Sequence, residues 1–109
     1  MGGFIAVYVT VGSPEEGARL ADALVEERLA ACVNQVGPVK STYRWEGRVE
    51  RAQEQLLIIK TREELFERLK NRVEELHSYS VPEIIALPII GGNKSYLHWL
   101  GEQISGEKA

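Results

Sequence analysis

His77 and Glu83 are the residues of this chain whose types and spacing suggest metal chemistry. They begin and end the segment HSYSVPE, so that Glu83 follows His77 by six positions, with Pro82 between them. Neutral imidazole and carboxylate groups are both metal ligands, and a turn in this segment can bring them together. Two ligands select a metal poorly. The alternative is that His77 ends a helix while Glu83 accepts hydrogen bonds from neighbouring groups.

Aromatic residues suggest a second kind of site, a cleft between subunits that binds a small ligand. The cleft candidates are Tyr43, Trp45, Lys60 and Tyr79, with Arg44 as a further source of positive charge for a small anion. The alternative is packing between subunits, because aromatic side chains dominate interface energetics. The interface candidates are Tyr43, Trp45, Val49 and Trp99.

The other potentially reactive residues indicate no catalytic machinery. Cys32 opens a predicted strand with no histidine near it in sequence, which is typical of a small buried hydrophobic residue. His98 is expected on the surface. The chain has no recognisable nucleophile, phosphate-binding or metalloprotease motif. The sequence therefore predicts a protein that is not an enzyme.

Composition excludes several classes of partner. The 109 residues carry a formal net charge of -3, and Lys and Arg are interleaved with Glu, which argues against nucleic-acid binding. No apolar run approaches the roughly 18 residues of a membrane helix, and MGGFIAVYVTVG lacks the basic start of a signal peptide. A single cysteine fits a reducing compartment, so a cytoplasmic location is expected.

The elements that must position these residues follow from hydrophobic periodicity. The run FIAVYVTV at 4–11 is β-branched and aromatic, which predicts a strand buried on both faces. Ser13 as N-cap, Pro14 at the first helical position and Glu16 at the third predict a helix that begins with a capping box. The apolar stripe of this helix consists of Leu20, Ala21, Leu24, Val25 and Leu29.

The middle of the chain predicts a long β-hairpin that turns at Gly47. Its two strands cover roughly 32–61, so each exceeds the usual strand length of about 5–6 residues. The overhanging part would expose Tyr43, Trp45 and Val49, which favours a closed oligomer that covers them. The alternative is that Trp45 folds back on its own sheet.

The second half of the chain repeats the helix and strand pattern. Thr61 and Glu64 match a second capping box, and the helix they begin has the apolar stripe Leu65, Leu69, Val73 and Leu76. EIIALPII predicts a strand that lies at a sheet edge or bulges at Pro88. KSYLHWLGEQIS predicts a C-terminal helix whose inward residues are Tyr96, Leu97, Leu100 and Ile104, and GEKA is expected to be a frayed tail.

The order βαββαβ, followed by a helix, predicts an α+β, ferredoxin-like fold with an extended central hairpin. We expect one domain over 1–109, with an ordered core at about 4–104.

Five segments carry a resemblance to a known family. ALVEERLAACVNQV, STYRWEG, LLIIKT, HSYSVPEIIALPI and GNKSYLHWL occur in that order, and over about Ile5 to Leu100 the chain resembles the CutA (CutA1) divalent-cation tolerance proteins. The resemblance implies a ferredoxin-like fold, a tight homotrimer whose long hairpins form intersubunit sheets, and a role in tolerance of copper and other divalent metals. It also implies binding of Cu(II) or another divalent metal and no required cofactor.

The chain departs from the family pattern in two places. The family usually reads HPYEVPE where Ser78 and Ser80 occur here, and some members carry a cysteine near the end of the first strand, where this chain has Val9 and Thr10.

The resemblance also leaves an alternative function open. This is a regulatory module similar to the PII signalling proteins, which binds a small molecule or protein in the cleft between subunits.

Overall fold

The computed structural model of the protein describes residues 3–104, so the predicted tail GEKA lies outside the described residues. The elements in chain order are β1 (Phe4–Val11), α1 (Pro14–Glu26), β2 (Cys32–Trp45), β3 (Arg48–Arg62), a 3-10 turn (Glu63–Leu65), α2 (Phe66–Leu76), β4 (Ile84–Pro88) and α3 (Lys94–Gln103). The four strands form one antiparallel sheet in the order β2-β3-β1-β4. This is the predicted ferredoxin-like βαββαβ fold with a C-terminal helix. None of the described helices is long and apolar enough to cross a membrane.

The core lies between one face of the sheet and helices α1 and α2. In β1, Ile5, Val7, Val9 and Val11 are buried while the residues between them are only partly buried. The predicted burial of β1 on both faces is therefore wrong for this chain, because the helices cover one face of the sheet only. The helices contribute Leu20, Leu24, Leu69 and Val73 to the same cluster. Burial of each such side chain stabilises the folded state by about 1.5–3 kcal/mol.

The other face of the sheet, which we call the open sheet face, carries apolar side chains that no element covers. Residues paired directly across an antiparallel ladder share a face. Tyr8 pairs with Ile58 and with Ile85, which places all three opposite the core. Ile85 is 50% exposed and Leu87 is 39% exposed. The open sheet face is thus an apolar surface that a single chain leaves uncovered.

The hairpin of β2 and β3 is as long as predicted, with 14 and 15 residues in its strands. Trp45 pairs with Arg48 across a two-residue turn, in which Glu46 and Gly47 have φ values of 52° and 81°. Two positive φ angles are typical of the type I′ turn that matches the twist of a hairpin. A bulge between Val36 and Val39, with a cis Gly37-Pro38 bond, lies in β2 without ending it.

The exposed residues of the hairpin fall on two different faces. Tyr43 is 44% exposed and Trp45 is 50% exposed, so Trp45 is not buried against its own sheet. Val49 pairs with Arg44, and it therefore lies on the face opposite Tyr43 and Trp45. The hairpin thus presents its predicted interface residues in two directions.

The helix starts confirm one predicted cap and overturn the other. Ser13 Oγ accepts a hydrogen bond from Glu16 N at 3.1 Å, as an N-cap should. Thr61 instead lies in β3, opposite Ile5, and its Oγ1 donates to the Leu29 carbonyl oxygen at 2.7 Å. The predicted Thr61 cap is wrong, because the side chain is fully buried in the sheet. Helix α2 begins later, at Phe66, and has no side-chain cap.

Two further differences concern the outer faces of α1 and α3. Val25 and Tyr96 were both predicted to face inward, yet each is 41% exposed. Leu100 and Ile104 alone provide the fully buried face of the α3 segment. Asn93 Oδ1 accepts from Tyr96 N at 3.1 Å, which is an N-cap that sequence reasoning missed.

Candidate functional site

His77 ends α2 and is held by hydrogen bonds at both ring nitrogens. Its side chain is fully buried. Nε2 lies 2.8 Å from the Thr10 carbonyl oxygen, and Nδ1 lies 3.0 Å from the Tyr79 backbone nitrogen. Because a carbonyl oxygen only accepts and a backbone N–H only donates, His77 is the neutral tautomer with its proton on Nε2. His77 is thus the residue at which α2 ends, as predicted.

A second buried group, the carboxylate of Glu16 in α1, holds the segment that follows His77. Oε2 accepts from Ser78 N at 2.8 Å, and Oε1 accepts from Ser78 Oγ at 3.0 Å and from Gly12 N at 3.4 Å. The predicted capping box is therefore only half formed, since this carboxylate reaches Gly12 and Ser78 rather than the Ser13 N–H. Sequence reasoning gave Glu16 only a local role, and its contact with Ser78 spans 62 positions.

The pKa of Glu16 reflects two opposed effects. Burial raises the pKa of this carboxyl, but the backbone and hydroxyl donors of Ser78 lower it, with a further contribution from the Gly12 N–H. The net result is a pKa below the ordinary value of 4.5. Glu16 is thus ionised at neutral pH and keeps its hydrogen bonds as an acceptor.

Tyr79 links the segment that follows His77 to strand β3 of the hairpin. Its hydroxyl donates to Glu54 Oε2 at 2.7 Å, and its ring lies 4.7 Å from the His77 ring. The hydroxyl also passes so close to Gly12 that an added Cβ would lie 3.3 Å from it. Burial, followed by Glu54, raises the pKa of Tyr79 to about 12. The phenol therefore stays protonated at neutral pH and continues to donate to Glu54.

These contacts border a cavity of about 640 Å³, which we call the Thr10 pocket. Its walls include Thr10, Tyr43, Trp45, Glu54, Tyr79 and Glu83. None of the described residues that line it is Lys, Arg or His. Glu83 is exposed, and Thr10 Oγ1 donates to its Oε1 over a long distance of 3.5 Å. The pocket combines aromatic rings, hydroxyl groups and two carboxylates.

The structure brings together four of the six residues that the sequence named as metal or cleft candidates. Tyr43, Trp45, Tyr79 and Glu83 all line the Thr10 pocket. His77 and Glu83 approach the same residue, Thr10, but His77 binds its carbonyl oxygen and Glu83 its hydroxyl. Among residues 3–104 no group of three or more His, Cys, Asp or Glu side chains could hold a metal ion. The assignment of His77 and Glu83 as metal ligands stays a prediction.

Other candidates lie away from the pocket. Lys60 pairs with Cys32 in the sheet, and its Nζ donates to Asn34 Oδ1. Trp99 lies on α3, with its ring 5.6 Å from that of Tyr96. Arg44 pairs with Val49 and so faces away from the pocket.

The two residues set aside as unreactive also have defined positions. The side chain of His98 is 77% exposed, which confirms its predicted surface position, and Nε2 lies 3.2 Å from Glu102 Oε2. Cys32 is only partly buried, and its Sγ lies 3.8 Å from Asn34 Oδ1. It packs against the apolar cluster that includes Leu65, Leu100 and Ile104, as predicted for a small hydrophobic residue, but its burial is only partial.

Glu54 and Thr10 are pocket residues that sequence reasoning missed. Glu54 is 8% exposed and lies two positions before the apolar run of β3, which begins at Leu56. A buried carboxylate close to an apolar run needs a hydrogen-bond partner, and this rule would have identified Glu54. Thr10 gave no such signal, because its role depends on contacts with residues more than 60 positions away.

Comparison with known proteins gives a consistent result. The sequence profile of the family described as CutA1 divalent ion tolerance protein matches residues 5–103. The divalent-cation tolerance protein CutA of Thermus thermophilus is 56% identical over 96 residues, which cover 88% of this chain and 93% of that protein. Protein CutA, chloroplastic, of Arabidopsis thaliana is 55% identical over 96 residues, or 88% of this chain. The chain spans about half the length of that protein and of a second plant relative, 53% and 54% respectively.

Solved structures agree with the sequence matches. The divalent cation tolerance protein (Cut A1) of Thermus thermophilus superposes with a TM-score of 0.92 at 53% identity, covering 94% of this chain and 99% of that one. CutA1 of Oryza sativa gives the same TM-score of 0.92 at 53% identity, covering 94% of each chain.

Proposed function

Because the chain belongs to the CutA1 divalent ion tolerance protein family, we propose that it acts in divalent-cation tolerance by binding ions such as Cu(II). The proposed form is a cytoplasmic homotrimer that binds its ion without catalysis and needs no resident cofactor. The observation that carries the ion-binding proposal is the position of Glu83, an exposed carboxylate in the wall of a pocket that also includes Thr10, the residue bound by buried His77.

The chemistry of the available donor groups sets the order in which residues can bind the ion. Glu83 holds only a long contact with Thr10, so its oxygens are available at little cost. The lone pair of His77 on Nδ1 faces the Tyr79 N–H and would have to leave that hydrogen bond before it could reach a metal. We therefore propose Glu83 as the first ligand and His77 as a ligand only after the segment rearranges. Cu(II) binds many such oxygen and nitrogen sites because of its high intrinsic affinity.

Calorimetric titration of the metal-free protein with Cu(II) tests this site. We expect one site per subunit, weakened about tenfold or more by Glu83→Gln. His77→Ala is expected to weaken binding too, and circular dichroism must show that its fold survives the loss of two hydrogen bonds. His98→Ala is the control, since His98 and Glu102 form an exposed pair that also offers a nitrogen and an oxygen. Binding that persists in Glu83→Gln and His77→Ala but is lost in His98→Ala would contradict the proposed site.

The homotrimer proposal is supported by the apolar surfaces that one chain leaves uncovered. Ile85 and Leu87 are exposed on the open sheet face, and Tyr43 and Trp45 are exposed on the overhanging hairpin. Apolar sheet faces and strand edges of this kind are aggregation hazards unless a partner covers them. A closed ring of identical subunits covers them without leaving a free end.

Sedimentation equilibrium tests the assembly. The mass of the wild-type protein is expected to be three times the 12.2 kDa of one chain. Ile85→Lys places a charge on the open sheet face and should shift the mass toward that of the monomer. Val25→Lys is the matched control, because Val25 is 41% exposed on α1, away from the sheet. A wild-type monomer, or an Ile85→Lys variant that remains trimeric, would contradict the proposal.

A second candidate function, a PII-like regulatory module, is supported by the Thr10 pocket. A cavity lined by three aromatic side chains and a few polar groups is typical of sites for small molecules. In this case the ligand binds at the cleft and the metal is incidental.

A further inference from the structure

We propose that the Thr10 pocket binds a small organic cation, such as a primary amine or a quaternary ammonium compound. This inference rests on the second candidate function and goes beyond it by assigning the ligand a charge and a chemical class. It follows from the charges, rings and size of the pocket.

The charge of the pocket is carried by carboxylates alone. Glu54 and Glu83 are the ionisable acids in its wall, and no described lining residue is basic. Glu54 is only 8% exposed, and its Oε2 accepts from Tyr79. Its other oxygen, Oε1, makes no hydrogen bond within the described part of the chain. A cation that enters the pocket is therefore attracted by two carboxylates, and no described lining residue supplies a positive charge that would oppose it.

The aromatic rings favour an organic cation over an organic anion. Tyr43 and Trp45 occur at alternate positions of β2 and so lie on the same face of the hairpin. Within one subunit both are about half exposed, and both rings line the pocket. The faces of Trp and Tyr rings attract cations, and ammonium groups bind well where several rings surround them. An organic anion would instead be repelled by the negative faces of the same rings and by the two carboxylates.

The size of the cavity argues against a bare metal ion as its sole occupant. About 640 Å³ lies within the range of small-molecule sites, roughly 300–1,000 Å³. A metal ion requires several donor atoms within about 2–2.6 Å, and residues 3–104 offer no group of three acidic, histidine or cysteine ligands.

Tyr43 and Trp45 are also proposed to contact another subunit, so the experiment uses the assembled protein.

Three probes of similar size and different charge test the proposal. They are benzylammonium, benzyl alcohol and benzoate, which are cationic, neutral and anionic. A Trp99→Phe background leaves Trp45 as the single tryptophan, so its fluorescence reports binding at the pocket. We expect benzylammonium to bind about tenfold or more tightly than either other probe, and Glu54→Gln to remove that preference. The glutamine can still accept from Tyr79, and Glu50→Gln is the control on the same strand, outside the pocket wall.

The outcomes separate this inference from the functions on which it rests. If benzoate or benzyl alcohol binds as tightly as benzylammonium, the cation assignment is wrong while the small-ligand module stands. If none of the probes binds at about 10 mM, both are overturned. A Cu(II) titration of Glu54→Gln, with Glu83 intact, shows independently whether the divalent-ion site survives.

Discussion

Replacing Thr61 with aspartate is expected to lower the free energy of unfolding by about 3 kcal/mol or more. The Thr61 side chain is fully buried in β3, and its hydroxyl donates to the Leu29 carbonyl oxygen. An aspartate there would bury an ionised carboxylate opposite an acceptor, without a cation to compensate it. Thr61→Val replaces the hydroxyl with a methyl group and should cost about 1–3 kcal/mol, because the Leu29 carbonyl oxygen loses its partner.

Urea unfolding at one fixed protein concentration measures both variants, since assembly makes apparent stability depend on concentration. Thr42→Asp is the matched control, because Thr42 is an exposed residue of β2. If Thr61→Asp were as stable as the wild type, Thr61 would be a helix cap after all. Aspartate is among the best N-cap residues, so a cap position would tolerate it.

Replacing Glu16 with alanine is expected to cost about 2–4 kcal/mol of unfolding free energy. The carboxylate accepts three hydrogen bonds, two from Ser78 and one from Gly12, and its loss leaves those donors without it. The segment after His77 should also become mobile, because Glu16 is its attachment to α1. Glu15→Ala is the matched control, since Glu15 is the adjacent exposed acid in the same helical turn.

The Glu16 contribution has a defined pH dependence. Its pKa in the folded chain lies below the ordinary value of 4.5, so the folded state binds the proton less readily than the unfolded state. The contribution is therefore fully present above pH 4.5 and is lost as the pH falls through the lower folded pKa. Thermal unfolding measured from pH 7 to pH 3 should show a smaller fall in melting temperature for Glu16→Ala than for the wild type or Glu15→Ala. An equal fall in melting temperature for all three proteins would contradict this role.

The order of the elements could be predicted because it depends on local patterns. Strand runs, the Ser13 cap and the turn at Gly47 each leave a signal within a few residues. Thr61 shows where such signals fail. It satisfies the Thr-x-x-Glu pattern of a capping box, yet its burial opposite Ile5 outweighs that local preference. Tertiary packing decided the boundary between β3 and α2.

The candidate site was predicted less fully because its hydrogen bonds join distant parts of the chain. The aromatic residues and Glu83 were identified from residue type, and the structure places them around one pocket. That both ring nitrogens of His77 are engaged could not be foreseen, since the Thr10 contact spans 67 positions. The same holds for Glu16 and Ser78, which are 62 positions apart.

The long hairpin has a consequence for the order of folding events. Its strands are adjacent in sequence and joined by a two-residue turn, so their first contacts require the closure of a very short loop. The pairing of β1 with β4, in contrast, joins Ile5 to Pro88 and requires most of the chain to be brought together. Each further pair along the hairpin forms without an additional closure entropy. The longest ladder of the sheet is therefore the one with the lowest kinetic barrier to nucleation, and it can form before the strand that completes the fold.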